Sequence, residues 1–322
     1  MSRMADSNRR PTHYECVALP TEPIRQKAAF TLLFPRKAVQ SYAFLRNYAN
    51  FFVTLWPNFK NLHKSMKFLK DLEVKSATKL HERYVLLRLT DSTPLPDCLP
   101  GQFAEVKVEG STTTFLRRPI SIHYINKEEN ELWLLVQVVG DGTKMLAQLK
   151  CGDRLNVLFP LGNGFSPVQK QGERVLLVGG GVGVAPLLEY GKYLKENGAE
   201  PIFLLGARTA GDLLQLDLFR QFGPVHITTE DGSEGERGFV TDHSVLQSAA
   251  FDRISVCGPK PMMMAVARYA KLADMRCEVS LENMMACGLG ACLCCVEKTV
   301  KGNVCVCKEG PVFDVKELNW ES

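Results

Sequence analysis

Residues 174–188 read RVLLVGGGVGVAPLL, and this stretch decides the fold. Val175, Leu176, Leu177 and Val178 form an apolar run without alternation, the pattern of a parallel strand buried on both faces. Gly179, Gly180, Gly181 and Gly183 follow, and such a turn lets backbone approach a pyrophosphate at a helix N-terminus. A plain strand–helix connection uses glycines too. Pro186 departs from the G-x-G-x-x-G fingerprint, but its fixed φ suits a first helical turn. A helix is expected over 185–197. Toward the C-terminus, PIFLLGAR (201–208), HITTE (226–230) and RISVCG (253–258) repeat the strand pattern, with helix-like stretches between them. The series predicts a doubly wound α/β parallel sheet.

Upstream of this stretch the pattern changes. The run from Tyr84 to Leu89, QFAEVKV (102–108) and LWLLVQVV (132–139) read as short strands separated by turn residues such as Pro100-Gly101 and Gly110-Ser111. They predict a small β-barrel or sandwich, with one helix over 143–149. Two motifs lie in it. Arg117-Arg118-Pro119-Ile120-Ser121 places a phosphate-pairing arginine three residues before a hydroxyl able to hydrogen-bond a flavin ring, although a surface arginine pair reads the same way. Gly140-Asp141-Gly142-Thr143 is either a simple N-cap by Thr143 or a set of amides aimed at a phosphate.

Downstream, six of the eleven cysteines fall between Cys287 and Cys307. Cys287, Cys292 and Cys295 have C-x4-C-x2-C spacing, the plant-type [2Fe–2S] pattern, with Cys307 twelve residues on. Three thiolates on one loop wrap one side of a flat cluster, and a distant fourth closes it. Gly288 and Gly290 permit the turns this requires. A zinc site from Cys292/Cys295 and Cys305/Cys307 is the alternative, but zinc knuckles rarely use C-x-C spacing. Cys294 reads as a small packed residue. A single dense cluster, rather than evenly spread cysteines, argues against a secreted disulfide scaffold.

The formal charge of +4 hides an asymmetry. Residues 1–65 hold ten Lys/Arg against three Asp/Glu, and the rest of the chain is slightly acidic. The main body therefore carries no basic footprint for nucleic acid. No transmembrane segment is expected: the apolar stretch 30–56 is broken by Pro35, Arg36, Lys37 and Arg46.

The order of motifs, R-P-x-S, G-x-G-T, G-x-G-x-A-P, C-G-P and a C-terminal cysteine run, resembles the ferredoxin–NADP reductase superfamily. Within it, FLRRPISI, LLVGGGVGVAPLL, VCGPKPMM, MMACGLGACLCCV and VCKEGPVF are similar to the electron-transfer subunits of class 1B dihydroorotate dehydrogenase. The resemblance covers about residues 66–313. It implies an FAD-binding β-barrel (66–168), an NAD-binding α/β domain (169–276) and a small [2Fe–2S] domain (277–322). It implies FAD contacts from Arg118, Pro119, Ile120, Ser121, Leu135, Val136, Gln137, Gly142 and Thr143. It implies dinucleotide contacts from Gly181, Gly183, Pro186, Arg208, Asp231, Cys257, Gly258 and Pro259. The cluster ligands would be Cys287, Cys292, Cys295 and Cys307; the segment 306–311, VCKEGP, selects Cys307 over Cys305. No catalytic base is implied, because hydride passes directly between nicotinamide and flavin.

The implied partner is an FMN-containing catalytic subunit that oxidises dihydroorotate in pyrimidine biosynthesis, in a heterotetramer of two plus two, in the cytoplasm. Related modules serve NADH-dependent ferredoxin:NADP oxidoreductases and hydrogenases. A redox sensor without turnover is a further alternative. The Cys295–Cys307 interval is shorter than the family's usual one. Residues 1–65 have no counterpart in the family; they read as a partner-docking arm, a membrane-surface segment or, the favoured reading, upstream sequence joined to a true start at Met66.

Overall fold

The computed structural model describes residues 66–320. The N-terminal extension 1–65, read from its sequence as joined upstream residues, lies outside them. Six antiparallel strands close a barrel in the order β1-β2-β5-β4-β3-β6: β1 (Phe68–His81), β2 (Tyr84–Thr90), β3 (Phe103–Val106), β4 (Arg118–Asn126), β5 (Glu131–Gln137) and β6 (Arg154–Leu161). Leu72, Leu87, Leu89, Val106, Leu132, Leu134, Val157 and Phe159 fill its interior with no exposed surface. Each such side chain contributes roughly 1.5–3 kcal/mol of hydrophobic stabilisation. Closure removes the free sheet edges.

The short helix α1 (Asp141–Leu146) follows β5 and begins two residues earlier than expected. Gly140, not Thr143, is its N-cap. The Thr143 hydroxyl accepts hydrogen bonds from the amides of Val139 (2.9 Å) and Gly140 (3.0 Å), so it closes the turn. A threonine at the third helical position does this as well as one at the cap, and the sequence does not distinguish them.

The second body is a seven-stranded sheet in the order β10-β9-β8-β7-β11-β12-β15, with β15 (Val312–Asp314) at one edge. β7 (Arg174–Gly180), β8 (Glu200–Ala207), β9 (Val225–Thr229), β10 (Glu236–Arg237), β11 (Arg253–Cys257) and β12 (Arg276–Ser280) are parallel. Helices α2 (Ala185–Glu196), α3 (Leu216–Arg220), α4 (Val245–Ser248) and α5 (Lys260–Leu272) connect them. The chain runs outward from β7 through β10, then returns to β11 on the other side of β7. This reversal is a topological switch point, where a crevice opens at the carboxyl ends of the strands.

The last segment holds a hairpin, β13 (Val296–Thr299) and β14 (Gly302–Cys305), then helix α6 (Val306–Glu309) and strand β15 (Val312–Asp314). β15 joins the large sheet antiparallel to β12. The boundary expected between 276 and 277 falls inside β12, whose sequence RCEVS carries too much polarity to read as a buried strand. Glu278 explains it: the residue is buried yet ion-paired to Arg253 and Arg276. Among the described residues no helix is long and apolar enough to cross a membrane.

Candidate functional site

One cleft of about 560 Å³ takes its walls from all three parts of the described chain. The barrel contributes Arg118, Pro119, Ile120, Ser121, Leu135, Gln137 and Thr143. The glycine turn contributes Val182 and Ala185, and the cysteine segment contributes Glu282, Asn283, Met284, Met285 and Cys294. The size lies within the range of cofactor sites.

Strand alternation sorts the barrel residues. Leu135 and Gln137 face the cleft, whereas Val136 between them is wholly buried in the barrel core. The arginine pair divides in the same way. Arg117 donates to the carbonyls of Glu105 and Asn156 and ties β3 to β6. Arg118 reaches only the carbonyls of Leu116 and Arg117 in its own loop, and it lines the cleft. Gly142 is buried beneath Thr114, behind the cleft wall.

The switch point sits against this wall. A Cβ on Gly183 would come within 2.5 Å of the Cys257 carbonyl oxygen and of Gly258 Cα. Only glycine lets the turn after β7 touch the Cys257-Gly258-Pro259 turn after β11. Pro186 lies in the first turn of α2. Arg208 directly follows β8 and Asp231 lies two residues beyond β9, both exposed at carboxyl ends of strands and outside the cleft itself. The Asp231 carboxylate accepts from the Ser233 amide (3.0 Å) and hydroxyl (2.6 Å).

The thiols group in two pairs. Cys287 neighbours Cys292, and Cys295 neighbours Cys307. Backbone amides point at the sulfurs: Leu289 to Cys287 (3.3 Å), Gly290 to Cys307 (3.1 Å) and Cys307 to Cys295 (3.4 Å). Such donors stabilise anionic sulfur, so the donor set fits an iron–sulfur cluster. Two pairs match a two-iron cluster, which takes two thiolates per iron. Among the described residues no three metal-ligating side chains converge on one ion. Cys305 belongs to neither pair; its thiol points at the Gly290 carbonyl, 3.7 Å away. Cys294 is exposed rather than packed, and its thiol points to the Met284 carbonyl.

Two acids escaped the reading of the sequence. Glu282 lines the cleft, and Cys257 Sγ lies 3.9 Å from its Oε1. Burial raises the affinity of both groups for protons. The signal was a lone acid in the otherwise uncharged VSLENMM before the cysteine run. Glu105 is fully buried in β3 with neither carboxylate oxygen hydrogen-bonded. Burial pushes it up to about 7, against the pull of Arg117 and Arg118. A Cβ on Gly288 would meet its Cγ at 2.8 Å, so Glu105 lies directly under the cluster loop.

A barrel bearing an R-P-x-S strand, a switch-point crevice and paired thiols together define a flavin- and iron–sulfur-dependent NAD(P) reductase module. Residues 282–319 match the iron–sulfur cluster binding domain of dihydroorotate dehydrogenase B, and residues 177–268 match the oxidoreductase NAD-binding domain. The dihydroorotate dehydrogenase B (NAD(+)) electron transfer subunit of Shouchella clausii is 45% identical over 225 residues, covering 68% of this chain and 86% of that protein. Its Bacillus velezensis counterpart is 39% identical over 252 residues, covering 77% and 97%. A solved NADH-dependent reduced ferredoxin–NADP oxidoreductase superposes with TM-score 0.71 at 31% identity, covering 77% of this chain and 90% of that one. The cytochrome b5 reductase domain of Ulva prolifera nitrate reductase shares the fold, with TM-score 0.51 at 20% identity. The chain belongs to the family of dihydroorotate dehydrogenase B electron-transfer subunits. It is an oxidoreductase subunit whose cofactors are FAD, a [2Fe–2S] cluster and NAD.

Proposed function

We propose that this chain carries electrons between NAD(H) and an FMN-containing dihydroorotate dehydrogenase subunit, in a heterotetramer of two plus two in the cytoplasm, within pyrimidine biosynthesis. The observation that carries this reading is the shared cleft, in which barrel strand, glycine turn and cysteine segment face one volume. Electrons then cross short distances inside one body. Bound FAD would supply the exchange between an electron pair and single electrons, and a bound cluster would supply one-electron carriage.

The chain's own residues bind and orient. Arg118 pairs with the FAD pyrophosphate, assisted by amides of the Gly142–Thr143 turn. Ser121 faces the isoalloxazine, with Pro119, Ile120, Leu135 and Gln137 packing beside it and Val136 contributing through its backbone. Gly181, Gly183 and Pro186 hold the dinucleotide phosphates, Arg208 and Asp231 flank its far end, and Cys257, Gly258 and Pro259 form the nicotinamide floor. Cys287 and Cys292 hold one iron, Cys295 and Cys307 the other. The parts are the FAD barrel (66–168), the NAD domain (169–276) and the cluster domain (277–322), with β12 shared across the last boundary. Met284, Leu289 and Leu293, exposed by 84%, 47% and 66% around the cluster loop, form the partner's docking face.

Purified protein should contain FAD, two irons and two labile sulfides per chain. NADH should bleach the flavin and bring up the reduced-cluster paramagnetic signal. Mixed with the FMN subunit, it should couple dihydroorotate oxidation to NAD reduction. Stoichiometric zinc without sulfide sinks the cluster assignment. Coupling to ferredoxin and none to dihydroorotate moves the chain to the oxidoreductase reading, which its 31% identical structural neighbour favours.

A further inference from the structure

The flavin wall and the dinucleotide site meet through one side chain. β4 starts at the cleft with Arg118 to Ser121 and ends against α2. Its pairing with β5 slips between Ile122 and Tyr124, which places His123 in a bulge. A bulge changes the phase of a strand. Ile122 and Ile125 both enter the barrel core, while His123 and Tyr124 turn out toward the α/β body.

His123 is fully buried. Its Nδ1 lies 2.8 Å from the Ala185 carbonyl oxygen and its Nε2 lies 2.8 Å from the Gln215 side-chain amide. A carbonyl only accepts, so Nδ1 carries the proton. Burial disfavours a second proton on the ring. Nε2 therefore accepts a hydrogen from the Gln215 amide, whose oxygen and nitrogen exchange places by a flip.

Both partners stand on elements that border the dinucleotide site. Ala185 opens α2 just after Gly183 and lines the cleft. Gln215 closes the connection that begins at Arg208, and it holds φ at 52°. That left-handed conformation is strained for a non-glycine residue, and it brings the amide to the histidine. Arg83, in the turn between β1 and β2, ion-pairs with Asp212 in the same connection. The barrel thus grips the 208–215 connection at two points.

We propose that His123 is a positioning residue for hydride transfer: from the bulge in the flavin-wall strand it fixes the first turn of α2 and the 208–215 connection, and with them the nicotinamide, against the flavin. The inference rests on the assignment of the cleft to FAD and nicotinamide. It follows from how steeply transfer falls with misplacement, where about 1 Å costs up to roughly a hundredfold. Arg118, Ser121 and the cluster thiols have no contact with the imidazole, so cofactor loading does not depend on it.

The test is single-turnover reduction of the bound flavin by NADH in the holoprotein. His123→Leu should retain FAD and iron, keep its dithionite-reduced spectrum, and slow flavin reduction at saturating NADH about tenfold or more. His123→Asn, which keeps a donor toward Ala185, should recover much of that loss. Gln215→Leu, outside both cofactor pockets, should show a smaller loss of the same kind. Wild-type rates in His123→Leu with full FAD overturn the proposal, and so do equal losses in the Leu and Asn variants. If His123→Leu does not fold, a wild-type rate in Gln215→Leu overturns it. Native protein that NADH fails to reduce overturns the cleft assignment instead, before any variant is compared.

Discussion

The barrel and parallel sheet on one side, and the cysteine segment on the other, are stabilised by different means. The first two bury continuous apolar cores in which strands such as Val175–Val178 have no exposed surface. The segment after β12 has a two-stranded hairpin, one turn of helix and a three-residue strand. Its loop exposes Met284, Leu289 and Leu293, and Leu293 adopts a φ of 58°. Core burial specifies the first two regions. The third lends Leu281, Met285, Val306, Phe313 and Leu318 to the sheet's core, and cluster binding at its thiols adds folding energy to that packing.

The most severe way to break this contrast is at a single sulfur. Cys307→Ser should abolish the [2Fe–2S] signal, because hydroxyl is a poor substitute for thiolate. FAD content and flavin bleaching by NADH should survive, since the barrel core owes nothing to the cluster. Cys305→Ser should keep full cluster content, as its thiol faces the Gly290 carbonyl rather than another sulfur. Electron paramagnetic resonance and iron analysis of both variants decide it. A cluster lost from Cys305→Ser and kept in Cys307→Ser reverses the ligand assignment, and loss of FAD along with the cluster erases the contrast.

A next step strikes the body itself. Arg253 is 2% exposed in β11, with Nη2 3.3 Å from Glu173 and Nη1 3.7 Å from Glu278. Its Nε lies 2.9 Å from Glu173 as well, at an angle that makes an ion pair rather than a hydrogen bond. It also donates to the carbonyls of Ser166 and Pro167, so it joins the barrel's exit to the sheet and to β12. Arg253→Met leaves the buried Glu173 carboxylate without its cation and Glu278 with Arg276 alone, at a cost of about 3–5 kcal/mol. Calorimetry should show the melting temperature falling on the order of 10 °C. A variant that melts like the wild type would mean that water or local shifts satisfy both glutamates.

These regions also differ in how much their sequence discloses. RVLLVGG is apolar at every non-glycine position after Arg174, so burial on both faces is legible from the residues alone, and LWLLVQVV reads as a strand from its β-branched and aromatic residues. The cysteine spacing names its chemistry outright. What stays hidden depends on contacts distant in sequence. RCEVS does not read as a sheet strand because Glu278 is tolerated only beside Arg253 and Arg276. β15, three residues long, has no period to detect. The flavin wall gives up Arg118 and Ser121, yet Glu282 and Glu105 matter through neighbours more than 20 residues away, and the bulge that turns His123 outward leaves no mark in a one-dimensional pattern.

The smallest effect sharpens the comparison by asking whether barrel and sheet act as one body. Glu189 on α2 accepts the Ile125 amide of β4 at 2.9 Å, and Lys192 on the same helix donates to the Ile125 carbonyl, also at 2.9 Å. Burial pushes the Glu189 carboxyl up to about 7, against the Ile125 amide and the Lys192 charge. The folded state therefore holds its proton more tightly than the unfolded chain, whose glutamates titrate near 4.3. Stability from this group is complete below about pH 4 and is lost as the pH rises through about 7, by up to about 3 kcal/mol. Glu189→Gln keeps an oxygen acceptor for Ile125 and cannot ionise. Its melting temperature should gain on the wild type between pH 5 and pH 8, whereas shifts from Glu105 and Glu282, common to both proteins, cancel in the difference. Parallel pH profiles would show that the contact relaxes into water when the carboxyl ionises. A gain confined to one of two separate melting transitions would show that barrel and sheet unfold apart.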